Sequence, residues 1–243
     1  MTSCMLVFYI ALSGAAGAPA PLAQPSTDPD ALFAARENLA SARQASALWR
    51  ERLSRNPQDV DAAWKLARVL YWLGGHAPEG ERKALLEDGI RAGRAAVAAA
   101  PNRAEGHFWI AANMGALAES FGLRQGLKYR GDIRDELMIV LKLDPAFQHG
   151  SADRALGRWY YKVPGLFGGS KKKSEEHLRR SLTFNPHSTA SLFWLAETLI
   201  AMDRTEEARR ELQQVLDAPL DPAWAPEDRE FKEKAKRLLV TLR

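Results

Sequence analysis

Four prolines constrain this chain more than any other feature. Pro57, Pro101, Pro145 and Pro186 follow Asn, Ala, Asp and Asn, at separations of 44, 44 and 41 residues. Proline lacks an amide hydrogen and pushes the residue before it out of the helical region, so helices stop at or just ahead of it. Between these stops, from Asp30 onward, apolar residues recur every three or four positions, the period of a helix. Evenly spaced helix stops on a helical background predict a repeat array.

Aligning the segments on the prolines gives the internal pattern. The last repeat carries Leu192, Leu195, Ala196 and Leu199 on a first helix, then Ala208, Leu212 and Val215 on a second. One period of about 34 residues earlier stand Ser174, Leu178 and Ser181, the same small–large–small order. Ahead of them, Leu156-Gly157-Arg158-Trp159-Tyr160 reproduces the L-G-x-x-Y core of the tetratricopeptide pattern. A small residue on each helix lets two backbones approach, and larger ones fill the gaps between neighbouring hairpins. Two earlier hairpins fit the frame: Ala63, Leu66, Ala67 and Leu70 with Gly89, Gly93 and Ala96, then Ile110, Ala111 and Met114 with Ile133, Leu137 and Val140. In both, the turn between the helices is expected to be about ten residues longer than the standard repeat allows. The third hairpin carries Val163 to Gly169 at that place. Asp30 to Arg55 and Pro226 to Arg243 supply capping elements. The expected fold is an all-α, tetratricopeptide-like solenoid of four repeats plus caps over residues 28–243, a single elongated domain with no second core.

Composition excludes several functions. Hydrophobic residues make up 46% and charged ones 26%, which is a globular balance, and the net charge of +4 is scattered rather than striped. Lys171-Lys172-Lys173 is followed at once by Glu175 and Glu176, so it reads as a solvated helix start, and no nucleic-acid partner is expected. Cys4 is the only cysteine, and the five histidines never form HExxH. No GxSxG, Walker A or GxGxxG occurs, and Gly165 to Lys171 has the wrong glycine spacing for a phosphate loop. No enzyme, metal site or cofactor is expected.

Residues 1–27 read as a signal peptide and linker. No charged residue precedes Asp28, Met5 to Leu12 is almost wholly apolar, and Ser13 to Ala18 is a run of small residues. A stretch this short does not span a bilayer and predicts export. The absence of a Lys or Arg ahead of it, and Pro19 and Pro21 behind the two Ala-x-Ala sites, leave an uncleaved apolar tail as the other reading. Cys4 lies ahead of the apolar core and cannot be a lipoprotein cysteine, so membrane anchoring is open.

In a hairpin array the first helices line the concave surface. Their non-core positions are Trp64, Arg68, Tyr71 and Trp72, then Phe108 and Ala112, then Arg154, Arg158, Tyr161 and Lys162, then Phe193 and Glu197. Aromatic residues on such a face predict a binding surface, and guanidinium groups beside them predict a partner with a carboxylate. Packing between hairpins is the other use such residues have. The turn Gly165, Gly168, Gly169 is either a ligand-facing loop or a bend that needs positive φ before Ser170 caps the next helix.

The segments Gly106 to Asn113, Ala155 to Gly169, Trp224 to Glu230 and Lys234 to Leu239 resemble the TatT family, the tetratricopeptide T-component associated with bacterial tripartite ATP-independent periplasmic (TRAP) transporters. They also resemble, more distantly, the regulator of microtubule dynamics family of eukaryotes. The resemblance spans roughly Asp59 to Leu242, and Ala155 to Gly169 is its most specific part. It implies a periplasmic helper of a substrate-binding P-component, a hydrophobic or carboxylate-bearing small ligand, and a homo-oligomer that is a trimer in some members. The alternative is a general scaffold that binds peptide tails in its groove, or an envelope-assembly factor.

Overall fold

The computed structural model describes residues 27–242, without the side chains of residues 123–125; the expected export segment lies almost wholly outside them. The described residues contain helices and turns and no strand. They run α1 (Pro29–Ala34), α2 (Leu39–Arg55), α3 (Val60–His76), α4 (Glu79–Ala99), α5 (Ala104–Ser120), α6 (Leu123–Leu143), α7 (Ser151–Lys162), a 3-10 turn (Gly165–Phe167), α8 (Lys171–Phe184), α9 (Thr189–Ile200), α10 (Thr205–Asp217) and α11 (Ala225–Thr241). The four spaced prolines each sit just past the end of a second helix: α2, α4, α6 and α8. Side-chain caps begin several helices; Asp59 accepts from the Ala62 amide at 2.9 Å and Ser170 from the Lys173 amide at 3.2 Å.

Each hairpin buries the small–large–small residues read from the sequence. A Cβ on Gly93 would stand 2.7 Å from the Ile110 side chain, and one on Gly106 would stand 2.9 Å from Val97, so α4 and α5 touch through glycine. Gly157 of the L-G-x-x-Y core meets Leu178 in the same way, at 2.5 Å. The array is an all-helical solenoid, as expected.

Two expectations are corrected. The first two hairpins have no lengthened turns: α3 and α4 are separated by two residues, and so are α5 and α6. The extra residues lengthen the helices instead. Gly74, which would suit a turn, stays helical because it lies against Leu86, where a Cβ would come within 2.4 Å. The second correction concerns the core, which falls into two clusters. One runs from Leu32 through Trp159 and the other from Leu178 through Ala235. They part between α7 and α8, where His177 Nδ1 lies 2.6 Å from buried Asp153; on its other side α8 meets α9 through Ser174 Oγ, 2.9 Å from Thr198 Oγ1, and Ser181 Oγ, 2.8 Å from Ser191 Oγ.

Helix α11 does more than cap. Its Phe231 ring lies 5.6 Å from both Phe193 and Trp194 of α9, and Ala235 is buried there. Its first turns reach back to the start of the fold: Glu227 pairs with Arg36, Glu230 with His76, and Arg229 with Glu37. First and last elements therefore meet, and the solenoid closes into a ring.

Candidate functional site: a partly enclosed chamber

Ring closure turns the concave groove into a chamber of about 1070 Å³. That is the size of a site for a lipid- or drug-sized molecule. The first helices supply its walls: Tyr71, Trp72 and His76 from α3, Phe108 and Trp109 from α5, Arg154 and Arg158 from α7, Phe193 and Trp194 from α9. Ile133 and Leu137 of α6 add hydrocarbon, and Glu227, Phe231 and Lys234 of α11 close the remaining side. Tyr71 is 37% accessible. Burial still pushes its hydroxyl up to about 12, consistent with a ring whose free face opens into the chamber.

Of the residues singled out from sequence, Tyr71, Trp72, Phe108, Ala112, Arg154, Arg158, Lys162, Phe193 and Glu197 line this chamber. Trp64, Arg68 and Tyr161 do not. Trp64 donates to Asp61 at 3.0 Å and packs beside Arg68, whose guanidinium stacks 4.0 Å from the Phe33 ring and pairs with Asp30. Arg68 thereby holds α1 on α3, with Trp64 packed beside it. Tyr161 lies under Lys171, whose Nζ is 3.6 Å from the ring centroid.

The cations of the chamber differ in their commitments. Arg158 donates to Glu119 at 3.0 and 2.9 Å and to Glu197 at 2.6 Å, and it lies over the Trp194 ring. Although burial opposes the charge, these contacts hold Glu119 below the usual carboxylate range. Arg158 thus joins three hairpins rather than standing free for a ligand, and Lys162 shares Glu119 at 3.7 Å. Arg154 is different. It makes no hydrogen bond or ion pair with any described residue; burial brings its guanidinium down to about 10, with only Tyr71 and Asp228 acting on it through charge. It remains a cation at neutral pH.

The glycine turn is structural on this geometry. Gly168 has φ of +103°, the left-handed region, so it needs the freedom expected of the turn. Gly169 needs something else: a Cβ there would stand 1.6 Å from the Val163 carbonyl oxygen. Gly165 starts the 3-10 turn without either demand.

His76 marks the seam between α3 and α11. Its Nδ1 is 2.7 Å from the Trp72 carbonyl oxygen and its Nε2 is 2.6 Å from Glu230. Both partners are acceptors, an arrangement that favours the doubly protonated ring. Burial opposes that charge, but Glu230, the Trp72 carbonyl and Glu227 outweigh it and hold His76 above its ordinary 6.5. His76 in turn holds Glu230 below 4.5, with help from Lys234. A raised His contributes stability that is full below pH 6.5 and fades as pH rises through its folded value. A lowered Glu contributes stability that is full above pH 4.5 and fades as pH falls through its folded value. The pair should therefore stabilise the ring most between those limits. Urea midpoints measured from about pH 4 to about pH 9 should fall on the alkaline side, and Glu230→Gln should flatten that fall. An unchanged alkaline limb in Glu230→Gln would show that the pair plays no part.

Sequence reasoning missed Trp109, Trp194, Trp224 and the α11 residues of the chamber. Among the described residues no group of His, Cys, Asp and Glu could hold a metal ion, and no helix is long and apolar enough to cross a membrane.

The comparisons with known proteins agree with this architecture. The crystal structure of TTC0263, a thermophilic tetratricopeptide repeat (TPR) protein of Thermus thermophilus, superimposes with a TM-score of 0.65 at 23% identity, covering 87% of this chain and 97% of that one. The crystal structure of MamA gives 0.51 at 16% identity, over 82% and 95% of the two chains. These likenesses show the fold. No curated protein matches. A tetratricopeptide repeat profile matches residues 172–226. The profile "Regulator of microtubule dynamics protein 1-3" matches residues 29–172, more than half of the sequence. The chain belongs to the regulator of microtubule dynamics protein 1-3 family.

Proposed function

We propose that this is a non-enzymatic binding protein that holds an amphipathic, carboxylate-bearing ligand in the chamber. The observation that carries the reading is Arg154, a cation with no hydrogen bond or ion pair to any described residue, on a wall otherwise rich in aromatic and aliphatic side chains. A carboxylate at that guanidinium would gain a charge-assisted pair shielded from bulk water, and the aromatic walls would take the apolar body. The resemblance to TatT supports a periplasmic setting, with the protein as helper of a substrate-binding P-component of TRAP-type transport and the ligand passing between the two.

A second reading, a scaffold for a protein partner, rests on the exposed Leu166 and Phe167 beside the glycine turn and on the tetratricopeptide repeat framework. It is compatible with the first, since a transport helper must dock on its partner.

The test uses a dansyl-labelled fatty acid and its methyl ester. The acid should bind and the ester should bind more weakly. Arg154→Ala should cost the acid about ten- to a hundredfold in affinity, the value of a charge-assisted hydrogen bond of roughly 1.5–3 kcal/mol, and remove the preference for acid over ester. Thermal stability should barely change, since Arg154 holds nothing in place. A large drop in melting temperature with acid binding intact would overturn this assignment. The protein should be prepared from an osmotic-shock fraction of its own cells. Native mass spectrometry would then report both the compartment and any molecule that accompanies it, and recovery only from the cytosol would remove the periplasmic reading.

A further inference from the structure

Helix α11 is attached in two unlike ways. On the α9–α10 side it shares a core: Phe231 packs on Phe193 and Trp194, Ala235 is fully buried, and Asp228 accepts from Thr189 at 2.6 Å. Lys232 adds bonds to the Leu216 and Ala218 carbonyls. Toward the N-terminal elements it reaches with charged side chains: Glu227 to Arg36, Glu230 to His76 and Arg229 to Glu37. Arg36 also reaches the Ala223 carbonyl, in the loop ahead of α11, at 2.9 Å. Phe231, Leu238, Leu239 and Leu242 pack on the C-terminal cluster, while Trp224, which precedes α11, packs on the N-terminal one.

We infer that the ring opens along this ionic seam between α11 and the elements α1 to α3, and that the seam is the way into the chamber. The physical reasons are three. Opening the seam returns both members of each ion pair to water together, so no charge is stranded in the interior; deleting one member would strand the other. A hairpin array is elastic along its length because each repeat touches only its neighbours, so a small change at each junction can part the ends. The core, moreover, is already divided between α7 and α8, where one cluster ends at Trp159, the next begins at Leu178, and His177 of α8 meets Asp153 of α7 through a polar contact. The N-terminal and C-terminal clusters can therefore tilt without tearing a continuous core. Tyr71, Trp72 and His76 line the chamber from one lip of the seam, and Glu227, Glu230 and Phe231 from the other.

The opening stands on geometry alone; its use as a ligand route rests on the binding reading above. The experiment keeps the two apart. Amide hydrogen exchange followed by mass spectrometry is measured on the full chain and on the double variant Arg229→Ala, Glu230→Gln, which removes two rim pairs and leaves Arg36 with Glu227. Protection over residues 225–231 should fall by roughly tenfold, as expected for two partly exposed pairs, while α9 and α10 keep theirs. Added sodium chloride should loosen the same residues of the unmodified protein. The dansyl fatty acid should associate faster with the variant. It should associate at least roughly tenfold more slowly when Glu37→Cys and Arg229→Cys, in a Cys4→Ser background, are joined by a short bis-maleimide. Exchange that rises equally in α9, α10 and α11, or does not rise at all, would overturn the seam. Association with the cross-linked protein at the unmodified rate would overturn the route. If the probe binds no form of the protein while residues 225–231 still loosen, the seam stands and the ligand reading falls.

Discussion

Truncating Trp72 to alanine should cost about 3–5 kcal/mol of stability, the range for removing a buried indole. Trp72 is buried on α3, against the turn that joins α1 to α2. Its ring stacks on His76 at 3.7 Å, the Arg36 guanidinium lies 5.2 Å above it, and its Nε1 donates to the Arg36 carbonyl at 2.8 Å. Removing it takes away the surface against which both cationic seam residues rest. Trp72→Phe should retain most of the packing and lose the hydrogen bond, leaving a buried carbonyl unpaired at a cost of about 1–3 kcal/mol. The measurement is the urea midpoint with the slope held in view, since an unchanged slope assigns the shift to stability. A loss below about 1 kcal/mol in Trp72→Ala would mean that the indole is a wall of the chamber and not a support of the fold.

The second large effect is expected at the glycine turn, and it should separate two neighbouring glycines by mechanism. At Gly169 a Cβ would stand 1.6 Å from the Val163 carbonyl oxygen and 2.6 Å from its carbon, and both are main-chain atoms that cannot rotate aside. Gly169→Val must displace a backbone that is also fixed by the Gly169 amide on Pro164 and the Ser170 amide on Tyr160. Overpacking of this kind costs about 1–3 kcal/mol, and a backbone clash belongs at the top of that range or beyond it. At Gly168 the nearest atom to an added Cβ is in the Trp159 ring at 3.6 Å, an ordinary contact. There Gly168→Ala should lose about 1 kcal/mol, from the left-handed backbone alone. Thermal denaturation of both variants decides the matter: a larger loss at Gly168 than at Gly169 would show that φ, not approach, governs the turn.

What was legible in the sequence was whatever a single hairpin encodes. Pro57, Pro101, Pro145 and Pro186 mark the ends of second helices because proline acts on its immediate neighbours. Ala208, Leu212 and Val215 identify themselves because helical spacing repeats over a few turns. The chamber is only half local. Tyr71, Phe108, Arg154 and Phe193 could be placed on one face from the register of the first helices. Trp224, Glu227 and Phe231 could not, because a mixed polar helix at the end of the chain looks the same whether it caps the array or folds back over it. One aromatic residue, Phe231, on a helix crowded with Lys and Glu, and Trp224 just ahead of it, were the available sign. The roles of Trp64 and Arg68 were hidden for a related reason: Arg68 is taken by Asp30 and Phe33 of α1, and Trp64 packs beside it. Arg154 and Arg158, one turn apart, read alike; what separates them is Glu119 and Glu197, which lie on other hairpins.

Ring closure also orders the events of folding. Most neighbouring helices in this fold are consecutive in sequence, so their contacts span short loops and form quickly. The Arg36–Glu227 contact spans 191 positions. A loop of that length carries an entropic penalty that grows slowly with size but is only offset once the intervening hairpins have stacked and brought the ends near. The junction of first and last helices thus belongs to the final stage of assembly. Until it forms, the apolar faces of Phe108, Ile133, Leu137, Phe193 and Phe231 border an open trough, the surface that a nascent chain most needs to keep from other chains.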